Sequence, residues 1–217
     1  MQTFTYQFMR VQMQKIKSIG HYPIKKDKPW LVLGKGPSFS RVWEIDLKSY
    51  YVFALNHAGQ MLDADVCHTV DLDGLLYEKL SQIRTLFLPF HPHEAFRASN
   101  KSLLELLIHR DQYKCLSELV DQDKLYTYNL STYKGKKAHQ YPHIFVRYFS
   151  SEAAFNILSM FGITTIYSLG IDGGTKYAEE FSDIGLKPLT NGRKTFDDGI
   201  GELNKICKVK KLKWIRL

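Results

Sequence analysis

Four short polar clusters each follow an apolar run: Gly34 to Ser38 (GKGPS), Asn56 to Gly59 (NHAG), Asp71 to Asp73 (DLD) and Asp172 to Tyr177 (DGGTKY). Gly34 and Gly36 let the backbone approach a ligand closely, and their N–H groups can face an anion such as phosphate. Lys35 adds a cation that a plain turn does not need. Ser38, after Pro37, can cap the next helix or donate to the same anion. Ser150 and Ser151 open a second helix and offer another hydroxyl or anion pocket; capping accounts for one of them, not both. Asp71 and Asp73 form an acid–x–acid pair after a strand, an arrangement able to hold a divalent metal such as magnesium.

The elements that must position these clusters are legible as apolar runs. Trp30 to Gly34 (WLVLG), Tyr51 to Asn56 (YVFALN), Ala64 to Asp71, Thr85 to Leu88 and Thr164 to Leu169 read as buried strands. Short helices are expected over Asp73 to Gln82 and Ser102 to His109. Ser150 to Phe161 has apolar residues at helical spacing behind a serine cap, with Glu152 in the first turn and Gly162 as the stop. Asp197 to Ile206 predicts a last helix and Val209 to Leu217 a final strand. Strands alternating with helices predict an α/β fold, a three-layer Rossmann-like and mostly parallel sheet. Residues 1–28 read as a basic arm, and 29–217 as a single nucleotide-binding domain with a lid-like excursion at about 89–143. In such a sheet ligands bind beyond the carboxyl ends of the strands, where all four clusters fall.

Together, GKGPS, ALN ending the second strand and RYFSSEAAFNILSMFGITTIYSLGID resemble glycosyltransferase family 42, the bacterial sialyltransferases that use CMP-sialic acid. The resemblance covers roughly residues 29–74 and 144–180. It implies that Gly34, Gly36, Pro37 and Ser38 form the nucleotide's phosphate and ribose loop, with Lys35 among the nucleotide-binding residues as a phosphate contact, and that Asn56 and Asp71 contact the nucleotide. It also implies that Arg147 and Ser150 form an Arg-x-x-Ser element at the helix start, and that Asp172 closes the strand before a phosphate-binding Tyr177. Three positions depart from the family's pattern. Lys35 stands for an asparagine, Gly174 for a first tyrosine, and Asn191 to Thr195 contains no histidine where the family's catalytic one is expected. GxGPS and GxD also occur in the 6-hydroxymethylpterin diphosphokinase-like family, which uses a nucleotide substrate.

The expected activity is transfer of a sugar from a CMP-type donor to a glycan or glycolipid. Such a transfer needs a base for the acceptor hydroxyl and neutralisation of the leaving phosphate. Tyr177, Arg147 and Lys35 can serve the phosphate without a metal, so no cofactor is expected. For the base, His139 and His143 flank Tyr141-Pro142, and His91 and His93 flank Pro92. His143 ranks first because it lies nearest Arg147 in sequence. The alternatives are a magnesium-dependent diphosphokinase of the pterin type, with Asp71 and Asp73 on the metal, or a non-catalytic nucleotide-binding relative.

The net charge of +8 is concentrated at the ends. Residues 1–30 and 201–217 each hold six basic residues and one acid, leaving 18 basic and 20 acidic residues between them. Nucleic acid is therefore not the expected partner, while the basic ends are candidates for peripheral contact with an anionic membrane. Self-association is among the arrangements the sequence allows. At 44% hydrophobic and 13% aromatic residues the chain can build a core, which excludes global disorder. There is no secretory signal pattern, and the cytosol is the expected compartment. Cys67, Cys115 and Cys207 are far apart, which speaks for free thiols over a disulfide framework.

Overall fold

A computed structural model describes residues 16–75, 79, 82–94, 97–98, 100–109, 113–135, 137–184, 189 and 193–217. The strands are β1 (Lys17–Ser18), β2 (Trp30–Leu33), β3 (Tyr51–Leu55), β4 (Val66–His68), β5 (Leu86–Pro89), β6 (His93–Glu94), β7 (Arg97–Ala98), β8 (Leu125–Leu130), β9 (His143–Ile144), β10 (Thr165–Leu169) and β11 (Lys213–Arg216). The α-helices are α1 (Leu103–His109), α2 (Lys114–Asp121), α3 (Ser150–Met160) and α4 (Asp197–Lys210). Nine strands form one sheet in the order β1-β8-β5-β4-β3-β2-β10-β11, with β9 beside β8. Every neighbouring pair in it is parallel.

Side-chain alternation explains the three layers. Trp30, Val32, Phe53, Phe87 and Tyr128 face one core with Phe155 and Leu158 of α3 and Leu203 of α4. Leu31, Leu33, Val52 and Ala54 face the opposite side, against Phe39 and Val42 of a 3-10 turn (Pro37–Glu44) and Phe181. Further along the sheet, Leu86, Leu88 and Leu125 pack on Leu103, Leu106, Leu116 and Leu119 of α1 and α2. With both faces covered, β2 and β3 are buried at every position, as continuous apolar runs require.

Three regions differ from expectation. Residues 16–28 are no arm: Ile16 and Ile19 are buried, β1 adds to the sheet edge, and Trp30 Nε1 donates to the Lys25 carbonyl at 2.9 Å. Residues 1–15 lie outside the described residues. The excursion expected over 89–143 narrows to the two-stranded antiparallel ribbon β6–β7 and the loop that follows β8, because α1, α2 and β8 are layers of the fold. Of the helix expected over Asp73 to Gln82, the structure has a 3-10 turn at Leu72–Gly74; residues 76–78, 80 and 81 lie outside the described residues. None of the described helices is long and apolar enough to cross a membrane.

The chain runs outward from β2 through β3, β4, β5 and β8, then returns to place β10 and β11 on the other side of β2. The loops after β2 and β10 therefore diverge, and the sheet opens a crevice between them. Their starting points nearly touch, because Gly34 N donates to Leu169 O and Gly36 N to Gly170 O, each at 2.8 Å. A Cβ on Gly34 would lie 2.2 Å from Gly170 O, and Gly170 has φ +69°. Gly34→Ala is accordingly expected to destabilise by about 1–3 kcal/mol or more through overpacking against backbone. Gly201→Ala, in α4 with nothing within 4 Å of the added atom, should instead stabilise by about 0.5–1 kcal/mol. Urea unfolding of the two variants checks both signs.

Candidate functional site

The glycine contact leaves a backbone cradle that side chains then lock. Asp172 Oδ2 accepts from Ser38 N at 2.8 Å, and Oδ1 from the Ser38 hydroxyl at 2.6 Å. That same hydroxyl accepts from Gly170 N at 2.7 Å. Ser38 and Asp172 are thus spent on each other. Ser38, with Pro37 beside it in the first turn of the 3-10 segment, ties the β2 loop to the β10 loop and is not the ligand donor the sequence suggested. A Cβ on Gly36 would lie 2.6 Å from Asp172 Oδ2, so glycine is required for this closure.

The second wall is the start of α3. The expected serine cap is absent: Phe149 is the N-cap, and no cap side chain bonds the first turn. Glu152, fully buried, takes over by reaching back to the three residues before the helix. Its carboxylate accepts from Arg147 N at 2.6 Å, Tyr148 N at 3.0 Å and Phe149 N at 3.1 Å. Burial raises its pKa and the three N–H donors oppose that shift. Ser150 and Ser151, released from capping, both line the cavity. Ser150 Oγ lies 3.4 Å from Asn56 Oδ1, which also accepts from Thr69 Oγ1 at 2.8 Å.

Between these walls lies a cavity of about 690 Å³, within the usual ligand-site range of roughly 300–1,000 Å³. Gly34, Lys35, Gly36, Asn56, Asp71, Asp73, Arg147, Ser150, Ser151, Asp172 and Tyr177 all line it, so residues from every predicted cluster meet in one place. Lys35 Nζ sits 4.2 Å from the centre of the Tyr177 ring. Burial lowers the Lys35 pKa to about 8, against an opposing pull from Asp71. Burial, and then the Asp71 charge, raise that of Tyr177. Tyr177 leans on Phe196, and Phe196 on Phe149 (ring centres 5.5 and 5.3 Å apart). Arg147 and Arg193 both contact the Tyr148 ring, at 4.9 and 4.0 Å. The arrangement presents cations and helix-start N–H groups beside a flat aromatic wall, which suits a phosphorylated ligand carrying a ring.

The proton-handling groups differ from those ranked by sequence. His143 is exposed on β9, where the strand's alternation turns Ile144 into the core, and it lines a separate shallow groove with Phe145 and Asn156. His93 is the histidine that reaches the cavity with a carboxylate partner, its Nδ1 3.3 Å from Asp71 Oδ1. A β-bridge between Asp71 and His93 fixes the pair, and only sheet pairing, not sequence distance, reveals it. His57 belongs to the Asn56 to Gly59 cluster, in which the sequence points to the asparagine. It is 3% exposed, lines the cavity, and its Nδ1 has no hydrogen-bond partner among the described residues. Burial and the Lys35 charge lower its pKa to about 4.

As for a metal, Asp71 and Asp73 share the cavity, but Asp71 is engaged by His93. Among the described residues no third His, Cys, Asp or Glu completes a ligand group. The acidic pair is not a preformed cage. Cys67 and Cys207 are free thiols. No protein-family model matches the chain, and no curated protein matches it.

Lys35→Met is expected to raise Tm at pH 7 by a few degrees, since ~1 kcal/mol corresponds to roughly 2–4 °C in a chain of this size. Folding lowers the Lys35 pKa from its ordinary 10.5 to about 8, so the penalty on the native state is full below pH 8 and fades as pH rises toward 10.5. Calorimetric scans at pH 7 and pH 10 should show the gap between variant and wild type closing.

Proposed function

We propose that the protein is a glycosyltransferase that moves a sugar from a CMP-type nucleotide donor to a hydroxyl of a glycan or glycolipid acceptor, as its resemblance to glycosyltransferase family 42 implies. One observation carries the reading: at the β2/β10 switch point a glycine-lined backbone loop, the start of α3, Lys35 and Arg147 converge on one cavity beside aromatic rings. Helix-start N–H groups and fixed cations stabilise the charge that grows on a departing phosphate. Tyr177, stacked under Lys35, supplies a phenolic donor on the same side.

In this reading the acceptor oxygen attacks the anomeric carbon, the carbon–phosphate-oxygen bond breaks, and the nucleotide leaves with both bonding electrons. The acceptor proton goes to Nε2 of His93, whose ring Asp71 orients through Nδ1. His93 thereby fills the role expected of His143. Asp73 also lining the cavity favours a second reading, a magnesium-dependent diphosphokinase.

A thermal-shift panel of CMP, CDP, UDP, GDP and ATP, each with and without magnesium, separates these readings. The expected result is stabilisation by CMP without metal; stabilisation by ATP alone, only with magnesium, overturns it in favour of the diphosphokinase. His93→Ala is expected to lower donor turnover by about 10²–10⁴-fold with CMP binding unchanged, and Asp71→Asn to lower it less. CMP binding without turnover of any CMP-sugar would identify a non-catalytic relative.

A further inference from the structure

We infer that the groove between α3 and α4 is the protein's docking face for an anionic phospholipid bilayer, its exposed apolar side chains entering the interface and its lysines meeting the headgroups. The inference stands on this surface and does not depend on what the cavity binds.

Four large apolar side chains are exposed among the described residues: Trp43, Phe145, Met160 and Val209. Three of the four line this one groove: Phe145 after β9, Met160 at the end of α3 and Val209 in the last turn of α4. Their neighbours Ile144 and Ile206 are buried in the main core and anchor the two elements to it. Core packing accounts for those inward residues and leaves the outward three without a role. Apolar side chains gathered in one exposed place behind a polar rim mark a surface that something covers.

The charge around the groove states what covers it. Lys205 and Lys210 line it, and Lys208 and Lys211 extend the basic rim at the end of α4. Lys137 joins from the loop after β8, its Nζ donating at 2.9 Å to the carbonyl of Ser131, another groove residue. Residues 131–151 and 203–217 contain no Asp or Glu, and the one acid of α3, Glu152, is fully buried. The acid in the groove, Glu202, has a side chain only 12% exposed and already pairs with Lys205 at 3.2 Å and Arg147 at 3.6 Å. A second copy of the chain is a poor occupant, because pairing the face with itself sets lysine against lysine. A nucleic acid answers the lysines through its phosphates and leaves Met160 and Val209 without apolar cover. An anionic bilayer answers both, with acidic headgroups for the lysines and the acyl boundary for the apolar side chains. Glu202 also joins this face to the site, since its partner Arg147 lines the cavity. Docking therefore holds the cavity beside the membrane.

Sedimentation of the full chain with sucrose-loaded vesicles tests this. Vesicles mixing phosphatidylglycerol with phosphatidylcholine are expected to bind the protein, less so as salt is added, and vesicles of phosphatidylcholine alone to leave it in solution. Lys205→Gln combined with Lys210→Gln should weaken binding by about 20–30-fold, since each lysine at an anionic surface is worth roughly a factor of five. Met160→Ser combined with Val209→Ser should weaken it by about 10-fold. Trp43, Arg41 and Lys48 sit in 3-10 turns on the opposite face of the sheet, so Trp43→Ser, and Arg41→Gln combined with Lys48→Gln, should leave binding unchanged. Equal losses in these controls, equal binding to neutral vesicles, or no binding to either kind would overturn the inference. So would salt-sensitive binding to poly-glutamate or DNA without binding to vesicles, which would assign the face to an acidic polypeptide or to nucleic acid.

A second measurement reads insertion itself. In Phe145→Trp, which keeps an aromatic ring at the groove, the emission added over wild type should be quenched by vesicles of brominated phosphatidylglycerol. Added emission that stays unquenched on bound protein would overturn the inference.

Discussion

The close approach of two glycines, Gly34 and Gly170, governs the molecule's chemistry. Their backbones meet where β2 and β10 end, at a distance no side chain permits. From that point the loops can only part, one into the 3-10 turn that covers one face of the sheet and one toward α4. The divergence is the crevice. Asp172 and Ser38 then bolt the loops together by three short hydrogen bonds. Ser38 and Asp172, both expected at the nucleotide, are thus the ones that hold the cradle's shape.

A second constraint acts through Glu152. A carboxylate withdrawn from water needs donors, and it finds three in the backbone of Arg147, Tyr148 and Phe149. This folds the entry to α3 into a fixed turn whose side chains, Arg147 and Tyr148, project into the cavity wall. It also leaves the Ser150 and Ser151 side chains free of capping, on the cavity wall. Gly199 in α4 completes the wall, because a Cβ there would lie 2.4 Å from the Phe149 ring. A buried acid and a glycine thus set the positions of the cations and aromatic rings in the cavity wall.

Much of this was legible in the residues. β2, β3 and β10 are apolar throughout because both faces of a parallel sheet are covered, and α3 shows helical spacing between Ser150 and Gly162. The polar clusters after those strands do line one cavity. β8 was not legible, for a physical reason. Its sequence LYTYNL reads as polar, yet the strand is buried throughout, and Tyr128, Thr127 and Asn129 find partners inside the protein. Tyr128 meets His68, the Thr127 hydroxyl donates to Leu88 O, and Asn129 holds the carbonyls of Ala138 and Tyr141. Hydropathy patterns register the atoms and miss their partners. His93 escaped for a related reason: its link to Asp71 is a product of strand pairing across intervening chain, and chain proximity favoured His143 instead.

The contact between the two loops also sets an order of events in time. Ser38 and Asp172 are 134 residues apart in the chain, so the cradle closes only after β3, β4, β5 and β8 have been made and β10 has returned to the centre of the sheet. Pairings that distant are slow to form, because the entropy of closing the intervening chain must be overcome first. The cavity is therefore a late product of folding, absent from any nascent chain that ends before β10. A ligand that binds the closed cradle stabilises the native state by an amount that grows with the logarithm of its concentration over Kd, and it does so at the contact that joins the early and late halves of the chain. Occupancy and the lifetime of the native sheet are in this way coupled through one pair of glycines.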